Sequence, residues 1–130
     1  MFGEKVRKLR EDLGWTQQKL ADELGCSLRT ISAYERENIR PRHRKTYNKL
    51  AAIFGVDVNY LLTDEDSFVL RATEEFGAQG RQEANALIRG VIGLFAGGAM
   101  SLTDKKAALD AIEEAYYIAK REEELKKDDN

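Results

Sequence analysis

Residues 16–36 have the sequence TQQKLADELGCSLRTISAYER, and this stretch decides the fold. Apolar residues recur at helical spacing on both sides of Gly25, which can adopt the positive φ that ends a helix sharply. Thr16 and Ser27 are good N-caps for the helices before and after that turn. The spacing predicts a helix-turn-helix, an arrangement that lays its second helix along the major groove of DNA.

The residues around this stretch predict three further helices in the first half of the chain. Val6 and Leu13 share the apolar face of a first helix. A fourth helix is expected over about residues 43–54, and a short fifth helix follows a cap at Asp57. Because no alternating strand pattern appears in this half, we predict an all-α domain of five helices over residues 1–63.

The second half of the chain predicts a helical tail over residues 64–130. The polar run TDED at residues 63–66 is expected to form a hinge at the domain boundary. A short helix is predicted over residues 68–76, and it is broken near Gly77 and Gly80.

A helical hairpin is expected next, over about residues 81–97 and 102–125, with a turn at Gly97 and Gly98. Its side chains present more apolar surface than two helices can hide from water. We therefore expect a homodimer formed through residues 81–125. The predicted interface residues all belong to this apolar surface: Leu87, Ile88, Val91, Ile92, Phe95, Leu109, Ile112 and Tyr116.

Charge is distributed unevenly along the 130 residues, whose net charge is −2. Residues 1–62 carry 12 Lys and Arg against 8 Asp and Glu, a net charge of +4, and residues 63–130 carry 9 against 15, a net charge of −6. A basic first half beside an acidic second half suits a nucleic-acid-binding domain followed by a tail with another role.

Composition also bears on the expected location. The chain is 34% charged and 42% hydrophobic, as in folded water-soluble proteins. Its longest apolar stretch, residues 87–100, contains Arg89 and is too short to span a bilayer. One cysteine cannot form an internal disulfide, and the chain opens directly into a charged helix without a signal-peptide pattern. These features predict a cytoplasmic protein with no membrane partner.

Further residues at fixed spacing accompany the helix-turn-helix: Thr16-Gln17, Leu20-Ala21, Leu24-Gly25, Ser27, Ile31-Ser32, Tyr34-Glu35, Pro41, Leu50-Ala51, Gly55-Val56 and Tyr60-Leu61-Leu62. With this signature, residues 2–62 resemble the lambda-repressor-like (XRE, or phage-repressor) family of transcriptional regulators. The resemblance implies a five-helix lambda-repressor-like DNA-binding domain whose partner is double-stranded DNA. Two departures concern the loop after the third helix. Glu37 stands where many members have glycine, and residues 41–51 are one residue longer than the common pattern.

The resemblance also implies which residues read the bases. In the family, the first exposed positions of the third helix contact base edges. Arg29 is the strongest candidate, because a guanidinium can bind O6 and N7 of guanine together, and the alternative for this residue is a phosphate contact. The predicted base-reading residues are Leu28, Arg29, Thr30, Ser32 and Ala33.

Phosphate contacts are expected around and after the recognition helix. In the family, the glutamine that opens the second helix binds a phosphate, and the helix N-terminus there also attracts an anion. Basic residues in the following loop would hold the backbone and make binding dependent on salt. The predicted phosphate-binding residues are Gln17, Ser27, Arg36, Asn38, Arg40, Arg42, Arg44 and Lys45.

Arg10 and Glu35 are expected to form a structural ion pair. In relatives, an arginine at the end of the first helix often pairs with a glutamate late in the third, and the resemblance implies the same pair here. Such a pair would brace the recognition helix without touching DNA.

The tail has a resemblance of its own. Residues 95–120, FAGGAMSLTDKKAALDAIEEAYYIAK, are similar to the tails of small regulators carried by prophages and integrative elements in Gram-positive bacteria. Such tails are thought to oligomerise.

Catalytic chemistry finds little support in the sequence. His43 is the single histidine, and Cys26, at the turn, has the character of a small packed residue. The glycines at 90 and 93 lack the Lys-Ser/Thr pair of a phosphate-binding loop. We therefore expect no enzymatic activity, no catalytic residues, no metal site and no cofactor.

The sequence thus predicts a sequence-specific transcriptional regulator, most simply a repressor that binds a pseudo-palindromic operator as a dimer. Two alternatives stay open. One is an antitoxin-type or anti-repressor protein whose acidic tail binds a partner protein. The other is a ligand-responsive regulator. The effector, whether a small molecule or a protein, is not identified.

Overall fold

The computed structural model describes residues 1–94 and 101–128. In this part of the chain no strand is present, and the all-α expectation is confirmed. The predicted turn at Gly97 and Gly98 and the predicted interface residue Phe95 lie outside the described residues. The described helices are α1 (Phe2–Asp12), α2 (Gln17–Leu24), α3 (Leu28–Arg36), α4 (Arg44–Phe54), α5 (Val58–Leu61), α6 (Asp64–Leu94) and α7 (Leu102–Asp128).

Contacts divide the chain into two compact units, an N-terminal unit of Met1–Thr63 and a C-terminal unit of Asp64–Asn130. None of the described helices is both long enough and apolar enough to cross a bilayer.

The N-terminal unit is organised around α3, which packs against both α1 and α2, while α4 packs against α2 and α5. Phe2 sets its ring edge-to-face against Tyr34 and Tyr47, at centroid distances of 5.7 and 5.6 Å. Because α3 is held from two sides, its remaining face is left to solvent. The largest fully buried side chains of the unit are Val6, Leu20, Ile31, Tyr47, Leu50 and Leu61.

Leu13 differs from the expectation that it faces inward with Val6. α1 ends at Asp12, and Leu13 is the C-cap residue with 44% of its surface exposed. The helix stops too early for Leu13 to continue the apolar face.

Local side chains set the geometry of the helix-turn-helix. Thr16 Oγ1 accepts a hydrogen bond from the backbone N–H three residues later at 3.1 Å, and Ser27 Oγ accepts one from Thr30 N at 3.1 Å. Gly25 ends α2 in the left-handed conformation with φ 79°. These caps provide hydrogen bonds to the backbone N–H and C=O groups that lack partners at a helix end. Residues within and beside the turn therefore determine its geometry.

The start of the C-terminal unit corrects the predicted hinge. α6 begins at Asp64 and not at residue 68 as predicted, so most of the TDED run is helical. Asp64, Glu65 and Asp66 occupy its first turn, where negative charge interacts favourably with the positive end of the helix dipole.

α6 folds back on itself at Gly77, whose φ of 67° and ψ of −151° lie outside the helical region. A break near Gly77 is thereby confirmed. Gly80, by contrast, is helical and lies where the two arms of α6 touch. A Cβ at Gly80 would meet the carbonyl oxygen of Ala72 and lie 2.8 Å from Cβ of Phe76.

The core of the C-terminal unit joins three helical segments, residues 64–76, residues 78–94 and α7. The ring of Tyr116 in α7 packs edge-to-face with the rings of Phe68 and Phe76, at centroid distances of 5.5 and 5.9 Å. The first segment therefore covers apolar surface that a two-helix hairpin would have left exposed. The buried cluster consists of Phe68, Ala72, Ala84, Ile88, Leu109 and Tyr116.

Candidate nucleic-acid interface

A shallow, open depression runs along the outer face of α3. Of the side chains in it, Leu28 is 45% exposed, and Ser32 and Ala33 are half-buried. Four of the five predicted base-reading residues are thus brought to one surface, as their spacing on a helix requires. The depression is lined by Gln17, Leu28, Arg29, Ser32, Ala33, Arg36 and Glu37.

Thr30 and Ser27 are placed differently from the other predicted contacts. Ser27 Oγ accepts from the backbone N–H of Thr30, and the two hydroxyl oxygens lie 2.9 Å apart, within hydrogen-bond distance. Thr30 does not line the depression. The Ser27 hydroxyl therefore caps α3 and lies within hydrogen-bond distance of the Thr30 hydroxyl, and the DNA contacts expected of both residues stay predictions.

Arg10 and Glu35 form the ion pair that the resemblance implied. Arg10 Nε donates to Glu35 Oε2 at 2.8 Å, and a second guanidinium nitrogen donates to Oε1 at 3.0 Å. A third hydrogen bond joins Arg10 to the carbonyl oxygen of Trp15 at 2.7 Å. The side chain of Glu35 is 2% exposed and that of Arg10 is 11% exposed. The hydrogen bond to Glu35 is the main cause that raises the pKa of Arg10, which keeps the guanidinium charged.

Gln17 extends this network towards the depression. Its Nε2 donates to Glu35 Oε1 at 3.2 Å, which orients the half-buried amide at the N-terminus of α2. An amide nitrogen carries two hydrogens, so one remains for an anion beside the helix end.

Asn38 has a structural role that the sequence did not predict. Its Oδ1 accepts a hydrogen bond from the backbone N–H of Gly3 at 3.1 Å, and its φ is 52°. The side chain thus ties the end of α3 to the start of α1. The hydrogen bond uses only the amide oxygen, so the phosphate contact expected of the Asn38 amide nitrogen stays a prediction.

The basic residues after α3 differ in their exposure and in the depression that they line. Arg36 lies in the depression with the base-reading candidates. Arg42 and Lys45 are exposed, and Arg40 and Arg44 are half-buried. Lys45 lines a second depression beside the turn, together with Leu24, Gly25, Cys26, Tyr34, Thr46 and Lys49.

Cys26 lies in this second depression. Burial raises the pKa of its thiol, which keeps the sulfur protonated and unreactive at neutral pH. Among the described residues, no group of His, Cys, Asp and Glu side chains could hold a metal ion.

Glu37 is the residue of the depression that the sequence did not propose as a contact. It is exposed and is the C-cap residue of α3. Its spacing in the sequence could have indicated this location. Glu37 follows Arg29 by eight residues and Ala33 by four, which brings it near the same side of α3.

The predicted dimer interface is largely occupied within one chain. Ile88, Leu109 and Tyr116 belong to the buried cluster of the C-terminal unit, and Leu87 and Ile112 pack against it. Val91 is 8% exposed, whereas Ile92 is 55% exposed. The physical reason is the fold-back at Gly77, which brings residues 64–76 onto the apolar surface.

Comparison with known proteins identifies the N-terminal half. A family described as a helix-turn-helix domain matches residues 3–67. The SPbeta prophage-derived HTH-type transcriptional regulator YonR of Bacillus subtilis is 40% identical over 62 residues, which are 48% of this chain and 56% of that protein.

Two further relatives share the same region. The cryptic phage CTXphi transcriptional repressor RstR of Vibrio cholerae is 33% identical over 67 residues, 52% of this chain and 60% of that protein. The propionyl-CoA carboxylase regulator of Cereibacter sphaeroides is 44% identical over 63 residues, 48% of this chain and 13% of that protein. The chain thus spans about half the length of the two phage relatives and far less of the third. No solved structure was found to match it.

Proposed function

We propose that this chain, a member of the XRE-type helix-turn-helix family of DNA-binding proteins, regulates transcription by laying α3 in the major groove of duplex DNA. The family is not one of enzymes. The observation that carries this proposal is the depression on α3. It combines exposed Leu28 and Arg29 with the N-terminus of α2. Base edges and a phosphate can therefore be contacted from one rigid surface.

Each side chain of the surface takes a separate role in this proposal. Arg29 and Ser32 hydrogen-bond to base edges, and Leu28 and Ala33 meet the methyl group of thymine. Gln17 and Arg36 hold phosphates at the rim, which sets the register of α3 on the duplex. Arg42 and Lys45, both exposed, extend the phosphate contacts beyond the depression.

Repression is the regulatory outcome that we propose. It is supported by RstR, a relative that is named as a transcriptional repressor. A protein seated on a promoter would exclude the polymerase by occlusion, and it would do so in the cytoplasm, where bacterial DNA lies.

Selection of bound sequences from random duplex DNA tests the central claim. We expect the full-length protein to enrich one motif, with two half-sites related by a two-fold axis and separated by about 34 Å if the protein binds as a dimer. Recovery of no motif from repeated rounds would contradict sequence-specific binding.

Replacing Arg29 with alanine should weaken binding to the selected site by about 1–3 kcal/mol and relax the preference at one base pair of each half-site. The reason is the loss of a bidentate contact to guanine. Fluorescence anisotropy on a panel of single-base variants measures both effects. Arg7→Ala, which removes an exposed arginine from α1, is the matched control. Equal weakening on every duplex would make Arg29 a phosphate contact.

We further propose that the protein is a homodimer that pairs through α7. Ala111, Ala115, Ile118 and Leu125 are exposed on this helix, and their spacing of four, three and seven residues is that of a helix-pairing stripe. Ile118 is 41% exposed and Leu125 is 64% exposed. This stripe replaces the predicted interface residues that the core of the C-terminal unit uses.

Replacing Ile118 with glutamate is expected to convert the dimer to a monomer, because a charge would be buried at the centre of the stripe. Light scattering coupled to size exclusion measures the mass of the full-length protein. Leu13→Glu is the control, since Leu13 is similarly exposed at 44% but lies in the N-terminal unit. A dimer that survives the Ile118 change would place the interface elsewhere.

A further inference from the structure

Glu37 brings a negative charge to a surface that otherwise suits an anionic partner. Its side chain lines the same depression as Arg29 and Arg36 and is exposed to solvent. Ionised carboxylates only accept hydrogen bonds, so this group cannot bind a phosphate oxygen as its neighbours can. On DNA, only a hydrogen-bond donor would suit this carboxylate.

The row of residues on α3 indicates where Glu37 would lie in the groove. Arg29 and Ala33 lie four residues apart on α3, and Glu37, four residues further along, is the C-cap residue; all three line the depression. Eight residues of α-helix rise about 12 Å, which corresponds to three or four base pairs at about 3.4 Å each. Ala33 is small, so the middle of the row leaves room for the bases between the two charged ends.

We propose that Glu37 determines specificity at the far end of each half-site by accepting a hydrogen bond from the amino group of cytosine. This inference rests on the proposed function. Cytosine presents its N4 amino group as a donor in the major groove. Guanine presents the acceptors N7 and O6, and thymine presents the acceptor O4, so both repel a carboxylate. Glu37 therefore selects cytosine and rejects these two bases, while Arg29 selects guanine at the near end.

A panel of single-base variants of the selected site, bound to the full-length protein, tests this role. We expect wild-type protein to prefer cytosine by about ten-fold at one position that lies three or four base pairs from the Arg29 contact. Glu37→Ala should lose that preference and leave the preferences at other positions intact. Glu37→Gln should shift the preference towards adenine, because an amide can pair with N6 and N7 together.

Asp12→Ala is the matched control for net charge. Asp12 is exposed at the end of α1 and does not line the depression, so its loss changes the total charge by the same amount. This variant should retain the cytosine preference. Equal tightening of every duplex by Glu37→Ala, with all preferences kept, would overturn the inference and reduce Glu37 to a general electrostatic effect. If wild-type protein shows no base preference at all, the proposed function fails instead.

Discussion

Replacing Glu35 with alanine is expected to lower the free energy of unfolding of the N-terminal unit by about 3 kcal/mol, because it leaves the Arg10 guanidinium buried without its counter-ion. The carboxylate that would be lost accepts from Arg10 through two hydrogen bonds and also from Gln17. Trp15, the single tryptophan, lies beside Arg10 in the same unit. Its fluorescence during denaturant unfolding therefore reports the stability of this unit.

The base preference of the folded variant should stay the same, since Glu35 is buried behind the recognition face. Glu23→Ala is the control, because it breaks the exposed pair with Lys19 and should change stability little. A double variant, Arg10→Met with Glu35→Leu, should recover much of the loss by removing both charges. An unchanged denaturation midpoint for Glu35→Ala would show that the pair does not brace α3.

Replacing Gly80 with alanine is expected to destabilise the C-terminal unit by about 1–3 kcal/mol, the usual range for overpacking. The added methyl group would be forced against the carbonyl carbon of Ala72, at 3.0 Å, and against Cβ of Phe76, at 2.8 Å. Backbone atoms cannot move aside as the end of a flexible side chain can. The two arms of α6 would have to separate, which would open the contact with Tyr116. Circular dichroism in the far ultraviolet follows the loss of helix.

Gly90→Ala, in the same helix, is the matched control, since within residues 1–94 and 101–128 an added methyl group there would meet nothing within 4 Å beyond the adjacent helix backbone. Alanine favours a helix over glycine by about 0.5–1 kcal/mol, so this variant should be slightly more stable than wild type. The fluorescence of Trp15 should be unaffected by either change. Equal stability of the Gly80 and Gly90 variants would contradict the fold-back at Gly77.

The helix-turn-helix could be predicted from the sequence because the interactions that form it join residues three or four positions apart. Thr16 and Ser27 cap the helices that follow them, and Gly25 ends the helix before it. The location of Leu28, Arg29, Ser32 and Ala33 on the outer face of α3 follows from helical periodicity once the opposite face is known to be buried. Local chemistry and periodicity were therefore sufficient for the architecture of the candidate site.

Three side chains of the site have hydrogen-bond partners within the chain that could not be deduced in the same way. Ser27, the N-cap of α3, and Thr30 are hydrogen-bonded to each other. Asn38 finds its partner at Gly3, 35 residues away along the chain. A polar residue near a DNA-facing helix can serve the fold, the ligand or both, since amides and hydroxyls can make more than one hydrogen bond.

The sequence by itself determined the order of the helices in the N-terminal unit, the caps at Thr16, Ser27 and Asp57, the breaks at Gly25 and Gly77, and the face of α3 that meets solvent. These features depend on backbone propensity and on the helical repeat, which act within a few residues. Only the tertiary structure decided that Gly80 is a point of close approach, that Glu37 shares the depression with Arg29, and that the predicted dimer surface is mostly buried within one chain. Each of these features depends on which segment, distant in the sequence, packs against the residue. The periodicity of the sequence does not contain that information.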